Sequence, residues 1–128
     1  MIKGIGIDLI EKERIRDALE RWGRHFSERI LTERESALCG NKGDAVGSIA
    51  ARFAAKEAIL KALGIGWTRE TGWKDIEILS REDGSPQVVL HRGALSLADT
   101  GRVWLSLSHS HGMAAAMAVI ETEEENRS

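Results

Sequence analysis

Between about Ala45 and Leu63 the chain carries its longest helical signal, closed on the C-terminal side by Gly64 and Gly66. At about 100° per residue, Ile49, Phe53, Leu60 and Leu63 fall on one apolar stripe. Glu57 lies at the edge of that stripe, Lys61 stacks one turn beyond it, and Ala50 and Ala54 share the same flank. A glutamate and a lysine beside small residues make a recess containing two charges. The same pair also reads as an ordinary i,i+4 support, contributing a few tenths of a kcal/mol to the helix. The helix by itself leaves both readings standing.

Upstream, residues 2–9 read as a strand in which Ile5, Ile7 and Leu9 alternate with Gly4, Gly6 and Asp8. One face is apolar and the other is bare until it reaches a carboxylate, so another backbone or a ligand has room to approach. Asp8 equally reads as a residue that caps or precedes the next helix. Ile15, Ala18, Leu19 and Trp22 mark an amphipathic helix over about residues 11–22, with Arg14 and Arg16 off its stripe and Gly23 at its end. Thr32 and Glu35 have capping-box spacing and start a short helix through Leu38, followed by a loop from Gly40 to Asp44.

Downstream, Trp73 to Leu79 and Gln87 to His91 read as strands around the turn Asp83-Gly84-Ser85-Pro86. Gly93 to Asp99 allows one or two helical turns, broken by Thr100-Gly101. Val103, Leu105 and Leu107 alternate with Trp104, Ser106 and Ser108, Ser110-His111-Gly112 turns the chain, and Met113 to Ile120 returns as a small-residue strand. The expected fold is α+β, one long central helix packed on a mostly antiparallel sheet. It forms one domain over residues 1–121, with a polar tail at 122–128.

The sequence has 128 residues and a formal net charge of -2, which suits one domain and gives no basic field for nucleic acid. Cys39 is the only cysteine, so no intrachain disulfide forms, which suits a reducing compartment. Its neighbours Leu38 and Gly40 give it no nucleophile signature, and it reads as a small core residue. No apolar run approaches spanning length and the first residues carry no secretory pattern, so the expected setting is cytoplasmic, without membrane contact.

Three segments hold the chemistry: Asp8 at the end of the glycine-lined strand, Arg52 to Gly64, and Ser108-His109-Ser110-His111. Asp8 and Glu57 are a pair of carboxylates of the kind magnesium takes alongside water and phosphate oxygens. Arg52 and Lys61 supply the positive charge a pyrophosphate needs, and His109 can donate to a phosphate or move a proton.

Those residues stand in a recognisable order. Gly6-Ile7-Asp8 followed by Arg14-Ile15, the run Arg52-Phe53-Ala54-Ala55-Lys56-Glu57-Ala58 through Lys61-Ala62-Leu63-Gly64, and Ser108-His109 before Ala114 to Ile120 resemble the motifs of holo-acyl-carrier-protein synthases. Thr32 and Glu35 match a further region, with Leu31 where an aromatic is common. The similarity runs from about residue 2 to 121, and the central motif is its most specific part. It implies the small 4'-phosphopantetheinyl transferase fold and a magnesium-dependent reaction. A carrier-protein serine attacks the coenzyme A phosphorus that bears pantetheine, and adenosine 3',5'-bisphosphate leaves.

By the same resemblance Asp8 and Glu57 hold magnesium, while Glu57 and Lys61 are catalytic. Either Glu57 or a metal-bound water accepts the serine proton. Arg52, Lys61, Gly64, His109 and Ser110 hold coenzyme A, with Gly84, Ser85 and Pro86 on its adenine side. Arg14 docks the acidic acyl carrier protein, extended by Arg16 or Arg24, and the family's homotrimer has sites between subunits. Fatty-acid synthesis is the implied setting. Two other readings exist: a non-catalytic carrier-binding module, which would be expected to lack Asp8, Glu57 or Lys61, and an H-x-H metallohydrolase using His109 and His111.

Overall fold

The computed structural model describes residues 1–40, 44–64, 72–98 and 101–123. The expected loop positions Asn41 to Gly43, the second helix stop at Gly66, Asp99, Thr100 and the tail from 124 onward lie outside the described residues. The elements are β1 (Ile2–Glu11), α1 (Lys12–Trp22), α2 (Arg24–Ile30), α3 (Glu33–Gly40), α4 (Ala45–Leu63), β2 (Ile76–Ser80), β3 (Pro86–Leu90), α5 (Arg92–Ala98), β4 (Arg102–His109) and β5 (Met113–Glu121). One antiparallel sheet has the order β1-β5-β4, and β2 pairs with β3 in a separate antiparallel hairpin.

At a rise of 1.5 Å per residue, the 19 residues of α4 extend about 28 Å, the width of a small domain. Asp44 caps its start by accepting from the Gly47 N–H at 2.9 Å, and Gly64 closes it in the left-handed region at φ 81. Strands β1, β5, β4 and β2 and helices α1 and α3 all pack on it. Burial therefore extends well beyond the expected stripe: Ala50, Ala54, Ala55, Ala58 and Ile59 are all fully buried.

The faces of β1 are the reverse of what alternation suggests. Its glycine face is the inner one, and the approaching backbone is that of α4. A Cβ on Gly4 would lie 1.9 Å from the Ala62 carbonyl oxygen, and one on Gly6 1.9 Å from that of Ala58. Strand and helix meet backbone to backbone, a contact only glycine permits here. Ile5, Ile7 and Leu9 face outward, each more than 60% exposed (62%, 64% and 63%). The register places Ile5 beside Val119, which in turn pairs with Trp104, and Ile7 beside Met117, so the outer sheet face is an apolar surface. The alanines of β5 are split accordingly, Ala114, Ala116 and Ala118 buried against α4 and Ala115 facing out.

Three further expectations change. Trp73 to Asp75 form a 3-10 turn before β2, because the Asp75 carboxylate accepts from the Gly72 N–H at 3.0 Å and holds a local turn in place of a ladder. Trp22, placed on the α1 stripe, is 58% exposed at the helix end, whereas Ile15 is buried. The short helix α2 follows Gly23 with no preceding signal.

The capping box at α3 closes in both directions, Thr32 N–H to Glu35 Oε1 at 2.9 Å and Glu35 N–H to Thr32 Oγ1 at 3.1 Å. Glu35 is also a core residue. It is fully buried, its Oε1 2.7 Å from Lys56 Nζ and its Oε2 accepting the Ile78 N–H at 2.8 Å. Lys56 donates in addition to the carbonyls of Ile30 and Trp73. Burial pulls the Lys56 ammonium below the ordinary lysine range, and Glu35 opposes that pull. A second buried carboxylate, Glu77, accepts from Thr32, Arg34 and His91. Burial alone would raise its pKa, but these hydrogen bonds, led by Arg34, outweigh it and lower the value to about 2.

Candidate active site

Because Gly4 and Gly6 lie flat on α4, Asp8 is the first inner-face residue of β1 after Gly4 with a side chain. It reaches Lys61, whose Nζ donates to Asp8 Oδ1 at 3.1 Å and to the Ile7 carbonyl at 2.9 Å. Asp8 is mostly buried, with 16% of its side chain exposed, while the Lys61 side chain is 53% exposed. Glu57 is half-buried one turn before Lys61 on the same helix. The recess expected on α4 thus contains its two charges, and Asp8 arrives from 53 residues away.

The register carries this centre across the sheet. Asp8 pairs with Ala116, which pairs with Leu107, and Ile10 pairs with Ala114, which pairs with His109. Asp8 and Leu107 are two strand spacings apart, about 10 Å. Leu107 and His109 line a cleft of ≈ 450 Å³ together with Arg52 and Ser48 from α4 and Gly84 and Pro86 from the β2–β3 turn. Four of the expected coenzyme A residues, Arg52, Gly84, Pro86 and His109, therefore share one cavity.

Arg52 is buried and held rigidly, Nε donating to the Ile78 carbonyl at 3.1 Å and Nη1 to Ser48 Oγ at 2.8 Å. Asp44 also lines the cleft. The Gly47 N–H first, and Lys12 as well, hold its carboxyl below the ordinary range.

The other expected site residues lie apart from this cavity. Ser85 borders a neighbouring depression of ≈ 830 Å³ that includes Arg81, Arg102 and Trp104. Gly64 serves as the α4 cap, and Ser110 closes the β4–β5 hairpin by donating its N–H to the Met113 carbonyl at 2.9 Å. Arg14 is exposed on α1; Arg16 pairs with Glu13 at 2.9 Å and Arg24 with Glu28 at 3.4 Å, which leaves Arg14 the leading docking candidate of the three. β4 ends at His109 and His111 sits in the turn, so the two imidazoles do not share a strand face.

Lys12, Asp44 and Ser48 were not anticipated. Lys12 had a signal: with Ile15, Leu19 and Trp22 it completes the apolar stripe of α1, where a lysine is out of place.

Asp8 and Glu57 offer oxygen ligands to a hard cation, and no group of three or more His, Cys, Asp or Glu side chains among the described residues forms a protein-only cage. That donor set fits magnesium, which takes one or two carboxylates and fills its shell with water and phosphate oxygens.

A long small-residue helix sealed by a glycine strand, with an acid–lysine pair one sheet width from a cleft lined by Arg52 and His109, defines a class. The chain belongs to the 4'-phosphopantetheinyl transferase superfamily, which it matches over residues 4–118. Among its relatives, the holo-acyl-carrier-protein synthase of Chlorobaculum tepidum is 45% identical over 117 residues, covering 91% of this chain and 97% of the relative. A holo-acyl-carrier-protein synthase from Bacillus anthracis, solved in complex with CoA (3',5'-ADP), superimposes with a TM-score of 0.82 at 41% identity, covering 96% of this chain and 99% of that one. The Helicobacter pylori enzyme of the same name, solved with coenzyme A, gives a TM-score of 0.83 at 34% identity, covering 91% and 99%. Within the superfamily, its place is among the holo-acyl-carrier-protein synthases.

Proposed function

We propose that this protein transfers 4'-phosphopantetheine from coenzyme A to a serine hydroxyl of an apo-acyl carrier protein, with magnesium, and releases adenosine 3',5'-bisphosphate. The observation that carries the reading is the Lys61–Asp8 pair beside Glu57, one sheet width from a cleft holding Arg52 and His109. The coenzyme A complexes of two relatives support it.

In the reaction the serine oxygen bonds to the phosphorus bearing pantetheine, and the bond from that phosphorus to the oxygen of the leaving nucleotide breaks. Lys61 has three N–H donors and directs two at Ile7 and Asp8, so the third serves the pyrophosphate and protonates the departing oxygen. The serine proton goes to Glu57 or to a water beside it. Asp8 and Glu57 would hold magnesium, which would supply positive charge beside the phosphates. Arg52, His109 and Ser110 hold the phosphates of coenzyme A, with Gly64 at the helix end and Gly84, Ser85 and Pro86 toward the adenine.

Arg14 docks the acidic carrier protein, and its charge chiefly raises the association rate. The working unit is a homotrimer assembled through the outer sheet face, where Ile5, Ile7, Leu9, Trp104 and Met117 are all exposed. The catalytic domain covers residues 1–121, with 122–128 as its tail, and acts in the cytoplasm on carriers of fatty-acid synthesis.

The test is incubation with coenzyme A, magnesium and an apo-acyl carrier protein, followed by mass measurement of the carrier. The expected result is a gain of one phosphopantetheine, abolished by EDTA and in Asp8→Ala and Glu57→Ala. No gain on several freshly prepared apo-carriers would overturn the function, and full activity of both variants would overturn the metal site.

A further inference from the structure

Lys12 takes no part in the chemistry above, yet it is only 7% exposed at the first turn of α1, where a cation opposes the helix dipole. Its Nζ stands 3.5 Å from His109 Nδ1 and 3.6 Å from Asp44 Oδ2. Its backbone N–H donates to the Gly112 carbonyl at 2.9 Å, which ties the start of α1 to the β4–β5 turn that follows His109. A buried lysine is thus anchored at the imidazole from two directions.

An ammonium group has three donors and no acceptor. The ring nitrogen facing it must present a lone pair, which leaves the His109 proton on Nε2. His109 lines the cleft and Lys12 does not, so Nε2–H is the edge offered to an occupant of the cleft. Asp44 sharpens the point. A carboxylate this close would otherwise draw a proton onto Nδ1 and repel phosphate, and Lys12 stands between the two groups and offsets its charge.

We infer that Lys12 is a positioning residue that locks His109 as the Nε2–H tautomer, so that His109 meets coenzyme A as a fixed N–H donor to a phosphate oxygen and not as a proton acceptor. The tautomer lock stands on the side-chain geometry; its benefit to phosphate binding rests on the function proposed above.

Nitrogen NMR of the histidine rings tests it, recorded without substrate at about pH 8, above the ordinary histidine titration. His109→Gln identifies the His109 signals. Wild type should show a lone-pair Nδ1 and a protonated Nε2. Lys12→Met should move Nδ1 toward the protonated position, and Lys12→Arg should restore the wild-type pattern. A protonated Nδ1 in wild type, or an Nδ1 signal unmoved by Lys12→Met, overturns the lock. If Lys12→Met does not fold, the wild-type spectrum and Lys12→Arg still decide.

In the transfer assay Lys12→Met should raise the KM for coenzyme A about five-fold with less effect on kcat, consistent with loss of one oriented hydrogen bond. It should add nothing in a His109→Ala background, and an additive effect there overturns the coupling. A wild-type protein with the expected spectrum but no transfer to any carrier would refute the proposed function while leaving the lock intact.

Discussion

Replacing Lys56 by methionine keeps most of the side-chain volume and removes the ammonium. Glu35 then loses its partner at 2.7 Å and retains the N–H groups of Thr32 and Ile78, while the Ile30 and Trp73 carbonyls lose a donor. Both members of the pair are fully buried, so water cannot replace what is lost. Removing one partner of such a pair costs about 3–5 kcal/mol, because the other charge stays buried without compensation. Against a total stability of about 5–15 kcal/mol, the variant is close to unfolding.

Urea denaturation at fixed protomer concentration measures the loss. With a slope of about 2 kcal/mol/M, the midpoint should fall by about 2 M. The pair Glu35→Gln with Lys56→Met should recover part of that, since it removes the stranded charge and keeps an amide oxygen for one of the Thr32 and Ile78 N–H groups, leaving the other and the two carbonyls short of a partner. A loss below about 1 kcal/mol in the single variant, or a double variant no more stable than the single, would refute the reasoning.

Gly6→Ala drives a methyl into the Ala58 carbonyl oxygen, a rigid backbone atom 1.9 Å away, and should cost at least about 1–3 kcal/mol in thermal melts; an unchanged melt would mean β1 does not lie flat on α4. Glu77 has its pKa lowered from an ordinary 4.5 to about 2, so it contributes stability above the unfolded value that is lost as the pH falls through the folded one. That difference corresponds to about 3 kcal/mol, and Glu77→Gln should flatten the loss of stability between about pH 5 and 2 in acid titrations. Met117→Lys places a charge in the centre of the outer apolar face and should convert the proposed homotrimer to monomers in sedimentation, whereas a variant that still sediments as a trimer would place the interface elsewhere. Arg14→Glu should raise the KM for the carrier far more than that for coenzyme A, and equal carrier kinetics at low salt would reject the docking role.

The legible parts of the fold were those written locally. The extent of α4 and its stop at Gly64, the Thr32–Glu35 box and the alternation of β4 each lie within a few residues and appear where expected. The orientation of β1 was not local. Ile5, Ile7 and Leu9 resemble a core face, and only the alanine surface of α4 makes the glycine side the one that fits. The helix α2, seven residues long, is too short for its period to register.

In the site, Glu57 and Lys61 were visible as neighbours on one helix, whereas Asp8 was joined to them by carboxylate chemistry and by the resemblance, since nothing in the local pattern links residues 53 apart. Lys56 lies in the same motif as Glu57 and shares none of its surroundings; its partners are on α3 and in two backbone carbonyls, which periodicity does not reveal.

The flat contact between β1 and α4 makes the acid's position a matter of counting. Side chains on a strand alternate with a period of two, so inserting or deleting one residue between Gly6 and Asp8 would turn Asp8 to the outer face and press a leucine or isoleucine toward the helix. The chain could keep its composition, its hydrophobicity and every functional side chain and still lose the centre. Parity along ten residues of strand, as much as the identity of any one of them, is therefore what this protein must preserve across sequence change.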